Sequence, residues 1–177
     1  MNHVRQKLLD FAVHRAVPYL VSLPVFRPHK DTLAFVLVGS VATGMCRVDS
    51  DVDIAVVCEP DVLKTVSAGM PWQFGRPTEV TLEGVQLHFF AISYETLENK
   101  IGALDDDYIY AYGQAQVLYD PARQYQQRIE LIAKGTEELR RVRAEGKIDM
   151  LIRRERALDY CLKNGEDIIT IAKICLE

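Results

Sequence analysis

Residues 39–53 read GSVATGMCRVDSDVD, and the organisation of the chain can be worked out from this stretch. Continuous apolar runs at 33–38 and 54–58 flank it on both sides. Apolar runs of this length, bounded by Gly, Ser and Asp, are typical of buried strands. The stretch therefore predicts a strand, a glycine-bounded turn, and a second strand that begins with two carboxylates.

Asp51 and Asp53 are separated by one residue at the start of the second strand. Because strand side chains repeat every two residues, both carboxylates are predicted to lie on one face. Two adjacent carboxylates repel each other unless a cation lies between them. Hard divalent metals such as Mg²⁺ prefer such oxygen ligands, with phosphate oxygens completing the shell. The Gly39-Ser40 turn offers backbone N–H groups and a hydroxyl, which suit a phosphate.

The order of these residues resembles the signature of the nucleotidyltransferase superfamily of DNA polymerase β. The matching features are Gly39-Ser40, Gly44, and Ser50-Asp51-Val52-Asp53 directly before a hydrophobic strand. Within that superfamily the chain is similar to the minimal nucleotidyltransferases and the aminoglycoside or lincosamide adenylyltransferases. The resemblance extends over residues 30–120 in general layout, and its specific part is residues 39–58.

The resemblance implies a role for each residue of the motif. Gly39 and Ser40 would hold the nucleotide phosphates, and Asp51 and Asp53 would hold Mg²⁺. Ser50 is predicted either to contact the nucleotide or to brace the turn. The alternative is ordinary turn chemistry, because Gly, Ser and Asp are common turn residues. The coincidence of both glycines, the Ser-Asp-x-Asp order and two buried strands favours the functional interpretation.

The third acid expected of such a transferase is missing from its predicted place. In the family it lies on a strand that reads apolar-acid-apolar, and here that strand contains Gln86. Glu79 could supply the carboxylate instead, or His88 could act as the base near neutral pH. Both residues also have ordinary interpretations, as a solvated strand residue and a sheet histidine. A third alternative is a site that binds nucleotide without catalysing transfer.

A hairpin places these candidates on one face of the sheet. Residues 78–82 and 85–90 flank Glu83-Gly84, and a two-residue turn ending in Gly suits hairpin geometry. In this register Glu79 lies opposite His88. Opposed residues share a face. One face is therefore predicted to be apolar, and the other to carry Glu79, Thr81, Gln86 and His88.

The whole pattern predicts an α+β fold: a polymerase β-like core with a mixed sheet and flanking helices over 1–120, and a helical C-terminal region over 121–177. Helices are predicted over 3–17, where Pro18 would end the first, and over 61–68, 94–101, 107–112, 121–144, 149–163 and 166–176; a last strand is predicted over 117–120. The final helix is apolar almost all round and needs a partner surface. That surface would be the core, another subunit or a missing C-terminal segment, so we expect a homodimer or a partner protein through the C-terminal helices.

Composition restricts the class of partner. The chain of 177 residues carries a net charge of −4 with a pI of about 5.6. This balance argues against general nucleic-acid binding, which needs a basic face. No apolar run reaches the length of a membrane span, and the N-terminus lacks a signal-peptide pattern. The four cysteines show no Cys-x-x-Cys spacing, so a zinc site is not expected. We expect a reduced, cytoplasmic setting for the chain.

The sequence thus predicts a Mg²⁺-dependent enzyme that moves a nucleoside monophosphate, AMP from ATP, to an acceptor hydroxyl. The alternative is a catalytically degenerate domain that acts as a binding or antitoxin-like module, which Gln86 and the apolar last helix favour. A purely structural α/β protein with an incidental Asp-x-Asp is a third interpretation. The acceptor is not readable from the motif, because loops and the C-terminal region build acceptor pockets.

Overall fold

The computed structural model describes residues 3–69, 77–103 and 105–128, together with residues 141, 145, 146, 152, 155 and 156. The chain divides into two units, Met1–Thr136 and Glu137–Glu177. The described strands all lie in the first unit. None of the described helices is both long and apolar enough to cross a membrane.

Five strands form one mixed sheet, as the sequence predicts. They are β1 (Ala34–Val38), β2 (Val52–Cys58), β3 (Thr78–Leu82), β4 (Val85–Ser93) and β5 (Gln116–Tyr119). Their order across the sheet is β3-β4-β2-β1-β5. The β2–β4 pair is parallel, and the other three pairs are antiparallel. The apolar runs of the sequence become the two most buried strands: every residue of β1 is buried, as is every residue of β2 except Asp53.

The predicted hairpin is confirmed in its register and in its faces. Glu79 pairs with His88 and Leu82 with Val85 across the Glu83-Gly84 turn. Both turn residues have positive φ, +49° and +83°, which is the geometry of a two-residue hairpin turn. The apolar face packs on the core; its members are Val80, Leu82, Val85, Leu87 and Phe89.

The N-terminal helix continues past Pro18, contrary to the prediction that Pro18 ends it. Helix α1 (His3–Phe11) leads into a π-helical turn (Ala12–Ala16) and then into α2 (Val17–Ser22). The Val17 N–H donates to the carbonyl of Ala12 in this wider turn. Pro18 then lies in the first turn of α2, where a proline without an N–H is tolerated.

One hydrophobic cluster joins these helices to the sheet. Leu8, Phe11 and Leu20 from the helices are buried in the same cluster as strand residues. The strand members include Phe35, Leu37, Ile54, Val56, Leu87 and Phe89. Burying an aliphatic or aromatic side chain of this size stabilises the fold by about 1.5–3 kcal/mol. The N-terminal helices are therefore part of the core that supports β1 and β2.

The remaining helices follow the predicted positions, with shifted ends. Helix α3 (Gly39–Thr43) replaces the predicted Gly39-Ser40 turn, and α4 (Pro60–Gly69), α5 (Tyr94–Gly102) and α6 (Asp106–Gly113) match predicted helices. Helix 124–128 begins three residues later than predicted, because Arg123 has φ of +53°, which is outside the range of a right-handed helix. The Asp120 carboxylate accepts from the backbone N–H groups of Gln124 and Gln126. Residues 141, 145, 146, 152, 155 and 156 are helical. Residues 129–140 and 142–144 of the predicted helix 121–144, the rest of 149–163, all of 166–176, and the expected docking face lie outside the described residues.

Candidate metal and nucleotide site

Three side chains converge where β2 and β4 run side by side. Asp53 is the second residue of β2, and the parallel register pairs it with His88 of β4. Asp51 lies one residue before β2. Because neighbouring paired residues and residues two apart in a strand share a face, all three side chains lie on the same side of the sheet.

The distances within this cluster are those of potential metal ligands. His88 Nδ1 lies 2.8 Å from Oδ2 of Asp51 and 3.5 Å from Oδ1 of Asp53. One ligand atom from each of the three residues lies within 4.8 Å of the others, so a single ion could contact all three. The side chains are partly buried, with exposed fractions of 37% for Asp51, 28% for Asp53 and 17% for His88. The predicted convergence of the two acids is thus observed, with His88 as a third donor.

Burial and charge both act on Asp53. Desolvation raises the pKa of its carboxyl above the ordinary value, and the neighbouring Asp51 carboxylate raises it further. His88 opposes both effects through its charge and a hydrogen bond. The net result is a carboxylate whose ionised form is disfavoured by its surroundings. A cation held between Asp51 and Asp53 would relieve that penalty.

Gly39 is fitted to this cluster by its lack of a side chain. It has φ of +72° and follows Val38, which pairs with Asp53. A β-carbon at position 39 would overlap Oδ2 of Asp53. The start of α3 is therefore in van der Waals contact with the carboxylate of Asp53, and both the φ angle and the contact require glycine.

Ser40 carries an unpaired polar atom next to Gly39. Its Oγ is buried and has no hydrogen-bond partner among the described residues. A buried hydroxyl without a partner costs free energy, and such atoms in native proteins commonly contact a ligand or water. The first backbone N–H groups of a helix also have no acceptor within the helix. Gly39 and Ser40 thus present donors beside Asp53, where the sequence predicts phosphate contacts.

Ser50 closes the turn that leads into Asp51. Its Oγ accepts from the backbone N–H of Arg47 at 2.8 Å, and its own N–H donates to the Arg47 carbonyl at 3.2 Å. These contacts match the bracing role that the sequence allowed for Ser50. Its predicted contact with the nucleotide stays a prediction.

The family model described as Nucleotidyltransferase domain matches residues 26–148. This range covers more than half of the chain and includes β1 to β5 and every residue of the cluster. The chain belongs to the nucleotidyltransferase domain family. No curated protein matches the chain. The mixed sheet and its flanking helices are consistent with the polymerase β-like core that the sequence predicts.

In this nucleotidyltransferase domain the third donor lies two residues further along β4 than the position that the sequence indicated. The sequence places Gln86 where the family has its third acid. In the structure Gln86 is exposed and pairs with Thr81, while the residue beside Asp53 is His88. The register between β2 and β4 is set by a crossover and leaves no local mark in the sequence. Only the alternation along β4, which puts Gln86 and His88 on one face, pointed towards His88.

Glu79 lies on β3, on the opposite side of β4 from Asp53, and is outside the cluster. Its Oε1 is 3.9 Å from Nε2 of His88, which is beyond hydrogen-bond distance, and its side chain is 61% exposed. Nε2 is itself buried and has no hydrogen-bond partner among the described residues. The hairpin register thus brings Glu79 next to His88, as predicted, but Glu79 is not one of the three potential ligands whose atoms lie within 4.8 Å of one another.

Arg5 supports the site from outside the region that the family model matches. Its Nε donates to the carbonyl of Val41 at 3.0 Å, and one terminal nitrogen donates to the carbonyl of Ala42 at 2.8 Å. These carbonyls end α3, and a cation is favourable at that end of a helix. No sequence pattern links Arg5 to residues 36 or 37 positions away, so sequence reasoning missed it.

The residues present fit the divalent metal that nucleotidyltransferases usually use. Two carboxylates and one imidazole nitrogen converge on one point. Burial, and after it the neighbouring Asp51 carboxylate, raise the pKa of Asp53, so a cation between the two acids would favour its ionised form. The contact between Gly39 and Asp53 puts the Gly39-Ser40 segment next to the two carboxylates of the motif. The arrangement supports a role in nucleotidyl transfer.

Proposed function

We propose that this domain transfers a nucleoside monophosphate from a nucleoside triphosphate to an acceptor hydroxyl with the help of a divalent metal. ATP as donor and Mg²⁺ as metal are the specific forms that the sequence predicts. The observation that carries the proposal is the convergence of Asp51, Asp53 and His88 beside Gly39-Ser40. The family membership gives this cluster its interpretation.

Each residue has a proposed task. Asp51, Asp53 and His88 would hold the metal, which when bound supplies charge neutralisation for the phosphates and helps to align them. Gly39 and Ser40 would donate hydrogen bonds to phosphate oxygens from the start of α3. Holding the acceptor and the triphosphate in line supplies most of the remaining acceleration. The catalytic roles predicted for Glu79 and His88 stay predictions, and the distances favour a ligand role for His88.

Nucleotide binding tests the proposal directly. We expect wild-type protein to bind a non-hydrolysable ATP analogue in calorimetry when divalent metal is present, and to bind it weakly in EDTA. The double variant Asp51→Asn plus Asp53→Asn should lose at least about tenfold in affinity, since it loses both anionic ligands. The control is Asp49→Asn, because Asp49 is exposed and lies outside the cluster. Equal affinity in the double variant and the wild type would refute the proposal.

A degenerate binding module is the second candidate. His88 in place of a third carboxylate favours it, because the site then has one anionic ligand fewer. Metal-dependent nucleotide binding without pyrophosphate release, across a panel of hydroxyl acceptors, would support this candidate. Release of pyrophosphate with any acceptor would exclude it. The proposed self-association or partner binding through the C-terminal helices is tested separately, by light scattering on the full chain.

A further inference from the structure

The donor set of this site differs in kind from a set of three carboxylates. Mg²⁺ is a hard cation that prefers oxygen ligands and retains waters. Imidazole nitrogen suits the borderline first-row transition metals, whose affinity for such sites exceeds that of hard cations. His88 contributes nitrogen at the position beside Asp53, where its Nδ1 lies 3.5 Å from Oδ1 of that residue. The exchange of one oxygen donor for nitrogen should therefore change which metal the site prefers.

The two nitrogens of His88 have different surroundings. Nδ1 points at both carboxylates and, at 2.8 Å from Asp51, is placed to donate a hydrogen bond when the site holds no cation. A metal bound at Nδ1 requires that nitrogen to give up its proton, and the neutral ring then carries its proton on Nε2. Nε2 is buried without a hydrogen-bond partner among the described residues, and Glu79 Oε1 lies 3.9 Å from it.

Many metal-bound histidines have a carboxylate beside the second ring nitrogen, and Glu79 has this position relative to Nε2 of His88. Such a histidine usually donates its second ring N–H to a carboxylate, which fixes the tautomer and the ring orientation. Glu79 is on β3, directly paired with His88 in the hairpin, so the backbone keeps the two side chains adjacent. A small side-chain rotation would bring Glu79 into hydrogen-bond distance of Nε2, at little cost for a side chain that is 61% exposed.

We infer that the Asp51-Asp53-His88 site takes a divalent first-row transition metal in preference to Mg²⁺, with His88 as a ligand through Nδ1 and Glu79 as the residue that positions its ring. The inference rests on the proposed function, because it names the metal of the same site. It explains why a histidine can stand beside Asp53, and it gives Glu79 a role as a positioning residue.

Metal binding without nucleotide tests the inference. Apoprotein is titrated with Co²⁺, which is followed by visible absorption, and Mg²⁺ is then added as competitor. We expect the ratio of Co²⁺ affinity to Mg²⁺ affinity to fall by about tenfold or more in His88→Asp. Glu79→Gln should weaken Co²⁺ binding by about tenfold. Glu83→Gln is the matched control on the same hairpin, with an exposed fraction of 62% against 61%, and it should bind Co²⁺ as the wild type does.

Direct ligation is measured by NMR on wild-type protein with ¹⁵N-labelled histidine, which does not depend on the folding of any variant. Addition of Zn²⁺ should shift the Nδ1 resonance of His88 and leave Nε2 protonated. An unshifted His88, or an unchanged affinity ratio in a folded His88→Asp, would overturn the inference. If nucleotide binding with Mg²⁺ persists in that case, the proposed function survives; if neither metal nor nucleotide binds, both fail.

Discussion

Gly39 and Asp53 are packed so closely that a β-carbon at position 39 would overlap the Oδ2 atom of Asp53. The contact joins the start of α3 to the second residue of β2, and both belong to the sequence motif. Backbone conformation adds a second requirement, because Gly39 has φ of +72°. The glycine of this motif is thus needed for the geometry of the carboxylate as well as for the turn.

Replacing Gly39 by Ala should be much more costly than the same change at Gly84. Both glycines have positive φ, but a β-carbon at Gly84 would meet no atom within 4 Å. We expect Gly84→Ala to lower the free energy of unfolding by about 1 kcal/mol through strain alone. Gly39→Ala should lower it by about 3 kcal/mol and also weaken metal binding, since Asp53 must move. Urea denaturation and metal titration measure both effects; equal losses in the two variants would contradict the contact.

The ionised carboxylate of Asp53, which the proposed metal site requires, is expected to lower the stability of the metal-free protein. Its pKa is raised above 3.8, first by burial and then by Asp51, so the folded state binds this proton more tightly than the unfolded chain does. The ionised carboxylate therefore destabilises the metal-free fold above the raised pKa, and the penalty is relieved as the pH falls through that pKa. At pH 7 without metal, Asp53→Asn should accordingly melt at a higher temperature than the wild type.

Divalent metal should reverse the order of the melting temperatures of the wild type and Asp53→Asn. Divalent metal should raise the melting temperature of the wild type, because binding to the native state stabilises it by mass action. It should leave Asp53→Asn unchanged. Asp49→Asn removes an exposed charge nearby and should behave as the wild type under both conditions. A metal-free Asp53→Asn that melts below the wild type at pH 7 would show that the carboxylate is not under electrostatic strain.

The parts of the fold that the sequence predicts are those with a local pattern. The apolar runs around residues 39–53 become β1 and β2, and the Glu83-Gly84 turn fixes the hairpin register, so the pairing of Glu79 with His88 follows from sequence alone. Alternation within a strand also places Asp51 and Asp53 on one face. These features depend on neighbours within a few residues, which is the range over which sequence patterns carry information.

The parts that were missed depend on long-range packing. The parallel register of β2 and β4 decides that His88 lies beside Asp53, and it is set by how the intervening chain packs rather than by any turn. The sequence could offer only Gln86, Glu79 and His88 as alternatives. The same reason applies to Pro18, where a π-helical turn held in the core allows the helix to continue.

Arg5 should matter for the site although it lies outside the matched family region. Its guanidinium donates to the carbonyls of Val41 and Ala42, and it passes alongside Gly44. Arg5→Met removes both hydrogen bonds, so we expect a loss of about 1–3 kcal/mol in the free energy of unfolding and weaker nucleotide binding. Lys7→Met is the matched control, because Lys7 is exposed on the same helix. Parallel urea and calorimetric titrations that give the same values for both variants would contradict this role.

Arg128 should stabilise the domain more than an ordinary surface arginine does. It contacts Glu59 at 3.1 Å and Glu98 at 2.9 Å, and its guanidinium carbon lies 4.3 Å from the centre of the Tyr94 ring. Two ion pairs and a cation–π contact share one ordered side chain, so the entropy cost of ordering is paid once. We therefore expect Arg128→Met to lower the free energy of unfolding by about 1–2 kcal/mol.

The pair between Arg15 and Glu83 provides the comparison for Arg128. It has a single contact at 3.2 Å, and its side chains are 59% and 62% exposed. Because exposed ion pairs contribute little, Arg15→Met should cost less than about 0.5 kcal/mol. Both variants are measured by urea denaturation at low salt and in 1 M NaCl. The cost of Arg128→Met should fall in high salt but persist in part, since salt screens the ion pairs more than the packing on Tyr94. Equal costs for the two substitutions would mean that the contacts of Arg128 do not act as a network.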